Sequence, residues 1–296
     1  MTRRPKLDQA LYTPFMDRRT AHPPGISPLD PADWFPVDPD FAEQMAYRAE
    51  LIDRVPEIVL AELSEAAPAV AELWGAVLAH LTAHPGFAVG PDKARRPDGV
   101  DVPLRPGLTG LGHLVADDFC VLEKPEGAAE YILTAAVLCF PSRWLLSEKI
   151  GQPLTEIHDP VPDYDESLAT RVNRLFEAIR PGRPMVRVNW LVHRTAELHL
   201  PLGLHDKQGA ARDRAEGLYL RTERQTLTRL PETGAVIFGI KTSVCDLEVL
   251  TPLQAAALAR ELSVMDPRSI AYRAGRDLHQ AALARLAEIA TPVSHR

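Results

Sequence analysis

The fold is decided by residues 218–244, which read LYLRTERQTLTRLPETGAVIFGIKTSV. The loop Pro231–Gly234 has the proline and glycine that favour a tight connection between antiparallel strands. The segment therefore predicts a hairpin of two strands, 218–230 and 235–244. Just upstream, residues 185–192 alternate apolar and polar side chains, which predicts a third strand with one buried face.

Working outward, a second predicted hairpin consists of Asp118–Glu123 and Tyr131–Phe140, joined by a turn at Lys124–Gly127. Between this hairpin and the third strand, apolar spacing predicts short helices at 143–150 and 165–179. Five antiparallel strands with helices inserted after the second follow the order of PAS domains, in which the insert and the inner sheet face enclose a ligand. The predicted fold class is α+β, a PAS-like five-stranded antiparallel sheet with a helical insert, flanked by N- and C-terminal helices.

The flanking segments complete the organisation. Apolar residues spaced by three and four between Val70 and Leu81 predict a helix, and residues 85–112, rich in glycine, proline and charge, predict a long loop. The C-terminal segment is helical, with a break at Asp266–Pro267. Four regions follow: an extended proline-rich arm at 1–40, a helical region with its loop at 41–112, a PAS-like core at 113–250 and C-terminal helices at 251–296.

Composition excludes several classes of function. The chain has 296 residues and a formal net charge of −7, whereas nucleic-acid binders usually carry a basic surface. No apolar stretch suggests a membrane span or a signal peptide, so a cytoplasmic location is expected. Three widely separated cysteines, Cys120, Cys139 and Cys245, predict reduced, buried thiols rather than a disulfide framework or a metal site.

Two stretches of sequence carry a family resemblance. The first is Phe140–Trp144 (FPSRW) followed by Lys149–Tyr164 (KIGQPLTEIHDPVPDY), and the second is Arg221–Leu227 (RTERQTL). Together they resemble the haem-dependent oxidative N-demethylase family, that of the dimethylamine monooxygenase haem subunit. The likeness covers most of residues 25–250 and also includes Gly25–Asp30, Trp34 and Arg187–Trp190.

The resemblance implies a PAS-fold subunit that holds haem b, binds O2 and demethylates a small secondary amine such as dimethylamine. The products would be a primary amine and formaldehyde. It also implies electrons from NADPH, delivered through flavin and iron–sulfur centres. Because this chain has neither a G-x-G-x-x-G fingerprint nor a cysteine cluster, those centres are expected on partner chains.

A haem needs an axial ligand, and we choose His158 as the metal ligand among the ten histidines. It stands in the predicted loop 151–164, where prolines limit backbone motion. A histidine that only satisfies a loop carbonyl is the alternative interpretation. Other histidines remain open as rivals: His113, His193, His199 and His205. Of these, His199 and His205 are expected to face solvent, and the alternative is that one of them lines a distal pocket.

Haem propionates need cationic partners, and Arg143, Arg221 and Arg224 are the candidates for cofactor binding. Arg221 and Glu223 share one face of a predicted strand while Arg224 points to the other, so at most one of Arg221 and Arg224 can face a site inside the sheet. Surface ion pairs across strands are the alternative interpretation.

A small secondary amine is a cation at neutral pH, so its pocket should offer a carboxylate or an aromatic face. Glu223 and Trp190 are the candidate catalytic residues on that ground, although Trp190 could equally be part of the core.

Two other classes of function stay open. A haem-based or small-molecule PAS sensor would bind its ligand without turnover, and a haem-free interaction subunit would keep the fold alone. The sequence has no G-x-S-x-G, H-E-x-x-H or P-loop motif that would indicate another established enzyme class.

Overall fold

The protein is described by a computed structural model over residues 6–22, 25–158, 166–203, 217–273 and 275–291. It is a mixed α+β protein built on a large antiparallel sheet. The strands of the described residues are β1 Ser27–Pro28, β2 Leu60–Glu62, β3 Ala88–Val89, β4 Lys93–Arg95, β5 Asp101–Pro103, β6 Asp118–Glu123, β7 Ile132–Val137, β8 Met185–His193, β9 Tyr219–Arg229 and β10 Val236–Asp246.

In the described part of the chain, seven strands form the main sheet in the order β1-β8-β9-β10-β6-β7-β2, and β3, β4 and β5 form a small separate sheet. All neighbours in the main sheet pair antiparallel. The helices are α1 Phe41–Arg54, α2 Pro56–Val59, α3 Ala67–Ala83, α4 Leu108–Leu114, α5 Leu146–Lys149, α6 Leu154–His158, α7 Glu166–Ala178, α8 Pro252–Ser263, α9 Pro267–Arg273 and α10 Gly275–Ala290.

The two predicted hairpins are confirmed as β6/β7 and β9/β10. In the second hairpin, Val236 pairs with Arg229 and the register continues without a bulge to Asp246 and Tyr219. Gly234 closes the connecting loop at φ 74°, a backbone angle that residues with a Cβ rarely adopt. The helix break at Asp266–Pro267 is also confirmed, since α8 ends at Ser263 and α9 begins at Pro267.

The sheet is wider than the five strands expected. The short strand β1 pairs with β8 at one edge, and the short strand β2 pairs with β7 at the other. Segments of two or three residues are too short to show an alternating pattern, because the period-2 signal needs at least four positions.

The prediction of one long loop over 85–112 is wrong. This segment contains the three short strands β3–β5 and the helix α4. Two of its glycines mark close packing, since a Cβ on Gly110 would lie 1.8 Å from the Arg105 carbonyl oxygen and one on Gly112 would lie 2.5 Å from Ile52 Cδ1. In the predicted loop 151–164, residues 154–158 form α6, and residues 159–164 lie outside the described residues.

The two faces of the main sheet carry different layers, and they are named here by what covers them. The insert face packs Cys120 and Leu122 of β6 against the inserted helices, through Leu146, Leu154 and Phe176. The helix face packs the alternate β6 residues Phe119 and Val121 against another set of helices, α1, α3 and α4. The three cysteines are free and buried, as predicted.

A third cluster joins the C-terminal helices to the helix-face side of β8 and β9. Trp190, Val192 and Leu220 pack there against side chains of α8 and α10. Elsewhere, Ser64–Ala83 is long and apolar enough to cross a membrane by length and composition, contrary to expectation. Helices buried in a protein core pass the same test, and the α3 residues Leu73, Val77 and Leu81 are fully buried in the core.

Candidate functional site

Strand register brings a set of polar side chains together on the insert face. Asn189 pairs with Glu223 and Arg187 with Gln225 between β8 and β9, so these four side chains share one face with Arg221. Polar residues on a covered face cost free energy unless they are satisfied by hydrogen bonds or charges. The insert face between β8 and β9 is therefore the candidate site.

Arg221 is the most deeply buried cation of the site, with a residue exposure of 1%. Its guanidinium donates to the carbonyl oxygens of Leu198 at 3.0 Å and Phe140 at 2.6 Å, and its Nε lies 3.3 Å from Oε1 of Glu223. Burial lowers the pKa of Arg221, while Glu223 acts to raise it. Backbone carbonyl oxygens from two segments outside β9 thus fix this guanidinium in place.

Glu223 is the carboxylate at the centre of the site. Besides Arg221, it accepts hydrogen bonds from the side-chain amides of Asn189 at 3.4 Å and Gln225 at 3.1 Å. All three donors come from the same face of β8 and β9. Glu223 is held as an acceptor, with an exposure of only 8%.

Three further arginines contribute positive charge to this region. Burial lowers the pKa of both Arg187 and Arg273, and Glu223 acts on both to raise it. The Nε of Arg187 is buried without a hydrogen-bond partner among the described residues. Arg143 sits in the left-handed region at φ 63°, and its charge acts on His193 and on Tyr272.

Among the described residues, the cations of the site are only partly paired. Arg221 forms an ion pair with Glu223, whereas Arg143, Arg187 and Arg273 form none. More distant carboxylates also act on these arginines, Asp118 and Glu197 on Arg221 and Asp266 on Arg273. Uncompensated buried charge is strongly unfavourable, because the low-polarity surroundings replace water. An anionic ligand on the insert face would remove this imbalance.

His158 lies at the end of α6, in the insert. Its Nδ1 is 2.8 Å from the carbonyl oxygen of Leu154, and burial lowers its pKa, which favours the neutral ring. A metal-binding histidine commonly donates its other ring N–H to a backbone carbonyl, and this fixes the tautomer in which Nε2 carries the lone pair. The charge of Arg187 acts on His158, so this ring lies near the cationic side chains of β8.

His193 ends β8 and is the second histidine of the site. It is 5% exposed, and its Nε2 has no hydrogen-bond partner among the described residues. Burial, reinforced by the positive charges of Arg221 and Arg143, lowers its pKa to about 3. A ring that is neutral at physiological pH and has a buried, unpartnered nitrogen suits a ligand or proton-exchanging role.

The other rival histidines are placed elsewhere. His113 lies on α4, where its Nε2 is 3.9 Å from Asp53 of α1. The expectation that His199 faces solvent is wrong, because it is half-buried and its Nδ1 lies 2.7 Å from the Cys139 carbonyl oxygen. His205 lies outside the described residues.

Two predicted site residues do not join the insert-face group. Arg224 pairs with Val188 on the helix face, where its guanidinium donates to the carbonyl oxygens of Asp33 and Trp34. Trp190 pairs with Thr222 and packs edge-on against Phe15, with ring centroids 6.1 Å apart. Strand alternation therefore separates Trp190 and Arg224 from Glu223.

The alternative of surface ion pairs for the β9 charges is wrong. Arg221, Glu223 and Arg224 are exposed by only 1%, 8% and 6%. The predicted division of the strand is confirmed, since Arg221 contacts Glu223 while Arg224 contacts the N-terminal arm. All three side chains are buried because other elements cover both faces of the sheet. The sequence of a single strand does not show this cover.

Sequence reasoning missed Arg187 and Arg273 as members of the site. A signal existed for Arg187, because Arg187 and Asn189 are polar at alternate positions of β8, as Arg221 and Glu223 are in β9. Arg273 gave no such signal. It reaches β8 from α9, where it donates to the Trp190 carbonyl oxygen at 3.0 Å and lies over the Trp190 ring, 5.6 Å from the ring centroid.

Fold and side chains together define an α+β protein with a buried cationic, histidine-bearing sheet face suited to an anionic ligand. Among the described residues no group of three or more His, Cys, Asp or Glu is placed to hold a metal ion, although a haem iron needs only one protein ligand. The family model for haem-dependent oxidative N-demethylase, alpha subunit-like, matches residues 25–283. The chain belongs to this family, whose description implies haem dependence and a subunit of an oxidative N-demethylase.

Proposed function

We propose that the insert face holds haem b and that the protein demethylates a small secondary amine, such as dimethylamine, to a primary amine and formaldehyde. The observation that carries this proposal is the group of arginines around Glu223, of which only Arg221 is ion-paired among the described residues, together with the buried and unpartnered Arg187 Nε and His193 Nε2. Haem b carries two propionate carboxylates, and buried arginines are their natural partners. The residues present therefore fit the group.

The proposed PAS-like core consists of β6 to β10, the five longest strands of the main sheet. Numbered along the chain from one to five, they lie side by side in the order 3-4-5-1-2. Helices α5–α7 form the insert between the second and third of these strands. The four regions at 1–40, 41–112, 113–250 and 251–296 remain our proposed domain boundaries.

His158 is the proposed iron ligand, through Nε2, because its Nδ1 faces the Leu154 carbonyl. Arg221 and Arg143 are the proposed propionate partners. Arg224, which the sequence also suggested for this role, lies on the other face of the sheet. When bound, haem would supply the oxidising power for attack on a methyl C–H bond.

Each remaining side chain has a proposed task of its own. Glu223 would hold the substrate ammonium by charge, in a place where Asn189 and Gln225 fix the orientation of its carboxylate. His193 would accept or release a proton at Nε2. Trp190, packed in the core, would support β8 rather than touch the amine.

The proposed partners are chains that carry flavin and iron–sulfur centres and pass on electrons from NADPH, and the proposed location is the cytoplasm. The alpha-subunit description of the family supports other subunits in the complex. A PAS-type haem sensor without turnover is the competing proposal, since the same cationic face would bind haem in either case.

The test begins with visible spectra of protein expressed with a haem precursor, for wild type, His158→Ala, His193→Ala and the exposed control His22→Ala. We expect a Soret band in wild type and His22→Ala, and its loss or shift in His158→Ala. A shift confined to His193→Ala would instead make His193 the ligand. No band in wild type would overturn haem binding.

Turnover separates the enzyme from the sensor. Wild-type haem-loaded protein, mixed with dimethylamine in oxygenated buffer that contains excess ascorbate and a redox mediator as the source of the two electrons needed per O2, should release formaldehyde. Glu223→Gln should retain the Soret band but release less formaldehyde at a given amine concentration. Haem-loaded protein that oxidises no methylated amine would favour the sensor.

A further inference from the structure

A second cleft lies on the helix face, across the sheet from the candidate haem site. It has a volume of about 370 Å³ and is called here the arm cleft. Its walls come from the N-terminal arm, the segment after α3 and β9, through Leu29, Ala32, Asp33, Phe35, Pro36, His84 and Arg224. This volume falls within the range of small-molecule sites.

Arg224 supplies the positive charge of the arm cleft. Its guanidinium donates to the carbonyl oxygens of Trp34 at 3.1 Å and Asp33 at 2.6 Å, which are neutral acceptors. Arg224 takes part in none of the ion pairs found among the described residues. Arg224 is 6% exposed as a residue and contacts no carboxylate among the described residues, so its guanidinium can accept an anion in the cleft that it lines.

His84 adds a neutral donor to the cleft. Its Nδ1 accepts a hydrogen bond from the backbone N–H of Gly86 at 3.1 Å. In the neutral ring the proton must then be on Nε2, which makes Nε2 a donor. The arm cleft thus offers N–H groups from two different elements.

The remaining walls are mostly apolar. Leu29, Ala32, Phe35 and Pro36 suit a hydrocarbon body rather than a phosphate or sulfate, which needs donors on all sides. Asp33 opposes an anion, but it is exposed, so water and salt screen its charge. Asp117 also acts on Arg224 electrostatically, without forming an ion pair with it.

We propose that the arm cleft binds a small aliphatic monocarboxylate, with its carboxylate on Arg224 and His84 and its hydrocarbon body against Leu29 and Phe35. This site is separate from the haem site, because β9 carries Arg221 and Arg224 to opposite faces of the sheet. The bound carboxylate would also hold the N-terminal arm in place, since Arg224 already contacts the arm at Asp33 and Trp34.

The test is isothermal titration calorimetry of the full chain with sodium salts from acetate to hexanoate and with the matched primary amides. We expect the four- to six-carbon carboxylates to bind roughly tenfold more tightly than their amides, as a charge-assisted pair predicts. Arg224→Gln should bring the carboxylates down to the affinity of the amides. Equal affinities for acid and amide in wild type, or no binding of any acid, would overturn the proposal.

Two further variants separate a loss of carboxylate binding from a loss of folding and from nonspecific attraction. Ala32→Trp fills the cleft from the exposed arm while keeping the Arg224 side chain, and should abolish carboxylate binding at an unchanged melting temperature. Arg54→Gln removes an exposed cation at the end of α1 and should leave binding intact. Weaker carboxylate binding in Arg54→Gln would mean nonspecific charge attraction and overturn the site.

The same variants distinguish this inference from the proposed function. Arg224→Gln and Ala32→Trp should retain the wild-type Soret band, whereas His158→Ala should not. Loss of haem in Arg224→Gln would assign Arg224 to the haem site and overturn a separate carboxylate site.

Discussion

The two faces of the main sheet bury charge in different ways. On the helix face, Lys241 is fully buried and its Nζ lies 3.3 Å from a carboxylate oxygen of both Asp38 and Asp40. On the insert face, Glu223 forms an ion pair with Arg221, whereas Arg187 and Arg273 form none among the described residues. The difference indicates that Lys241 on the helix face is neutralised by its own carboxylates, whereas the arginines around Glu223 are arranged for an anionic ligand.

This comparison separates stability from function. Buried ion pairs with matched charges lose much stability when one partner is removed, because the other charge remains uncompensated. An excess of charge of one sign lowers the stability of the protein until an ion of the opposite sign binds. Backbone contacts such as those of Arg221 hold such charges in place. Changing charges on each face therefore tests the interpretation.

The largest effect is expected at a matched pair beside α1. Arg48 and Asp118 are fully buried, 2.5 Å apart, and Asp118 also accepts the backbone N–H groups of Cys139 and Phe140. Asp118→Asn should lower the free energy of unfolding by about 3–5 kcal/mol. Urea denaturation measures this loss.

The control is Asp101→Asn, which removes a carboxylate from an exposed pair with Lys93 and Arg95. Its cost should stay below about 1 kcal/mol. A similar small loss for Asp118→Asn would show that charge matching does not stabilise this part of the protein.

The next effect concerns pH, and the two faces should respond in opposite directions. Burial raises the pKa of Asp117, among the helix-face charges, from 3.8 to about 7. The folded protein then holds a proton that the unfolded chain has released, so this group's contribution to stability falls as the pH rises from 4 to 7. Burial lowers the pKa of His193 from 6.5 to about 3, so its contribution falls as the pH drops from 6.5 to 3.

The Asp117→Asn variant should therefore become more stable relative to wild type as the pH rises towards 7. The His193→Gln variant should become more stable relative to wild type as the pH falls below 6.5. Each difference should amount to about 2–4 kcal/mol over its range. Urea denaturation at pH 4, 5.5 and 7 measures both. Parallel pH profiles for either variant and wild type would show that its residue does not titrate as described.

The sequence predicted the features that are long and regular. Strands β8, β9 and β10 are nine to eleven residues long, and this length made the strands predictable. The period of two along β9 then made the opposite directions of Arg221 and Arg224 predictable. Strands β1 to β5 have two or three residues each, and no periodic signal exists at that length.

The candidate site was only partly predictable, for a different reason. Arg221 and Glu223 belong to one strand, so their neighbourhood follows from the period of two. Arg187 and Arg273 join them through cross-strand register and through the docking of α9 on the edge of β8, and both depend on tertiary packing. The excess of charge appears only when these segments are brought together.

The smallest effect, and the sharpest for this comparison, is expected for Glu223→Gln on the insert face. Glutamine keeps the shape of the side chain but removes the carboxylate that contacts Arg221. Without haem, the loss of unfolding free energy should be about 2 kcal/mol, since Arg221 retains its bonds to Leu198 and Phe140. With haem bound, the propionates would offset the arginines and the loss should shrink.

Glu248→Gln, from an exposed pair with Arg285, is the matched control and should change little in either state. Urea denaturation of haem-free and haem-loaded protein measures all four values. A loss for Glu223→Gln that is equal or larger with haem would mean that Glu223 and the arginines are already matched, and that the insert face does not differ from the helix face in the way argued above.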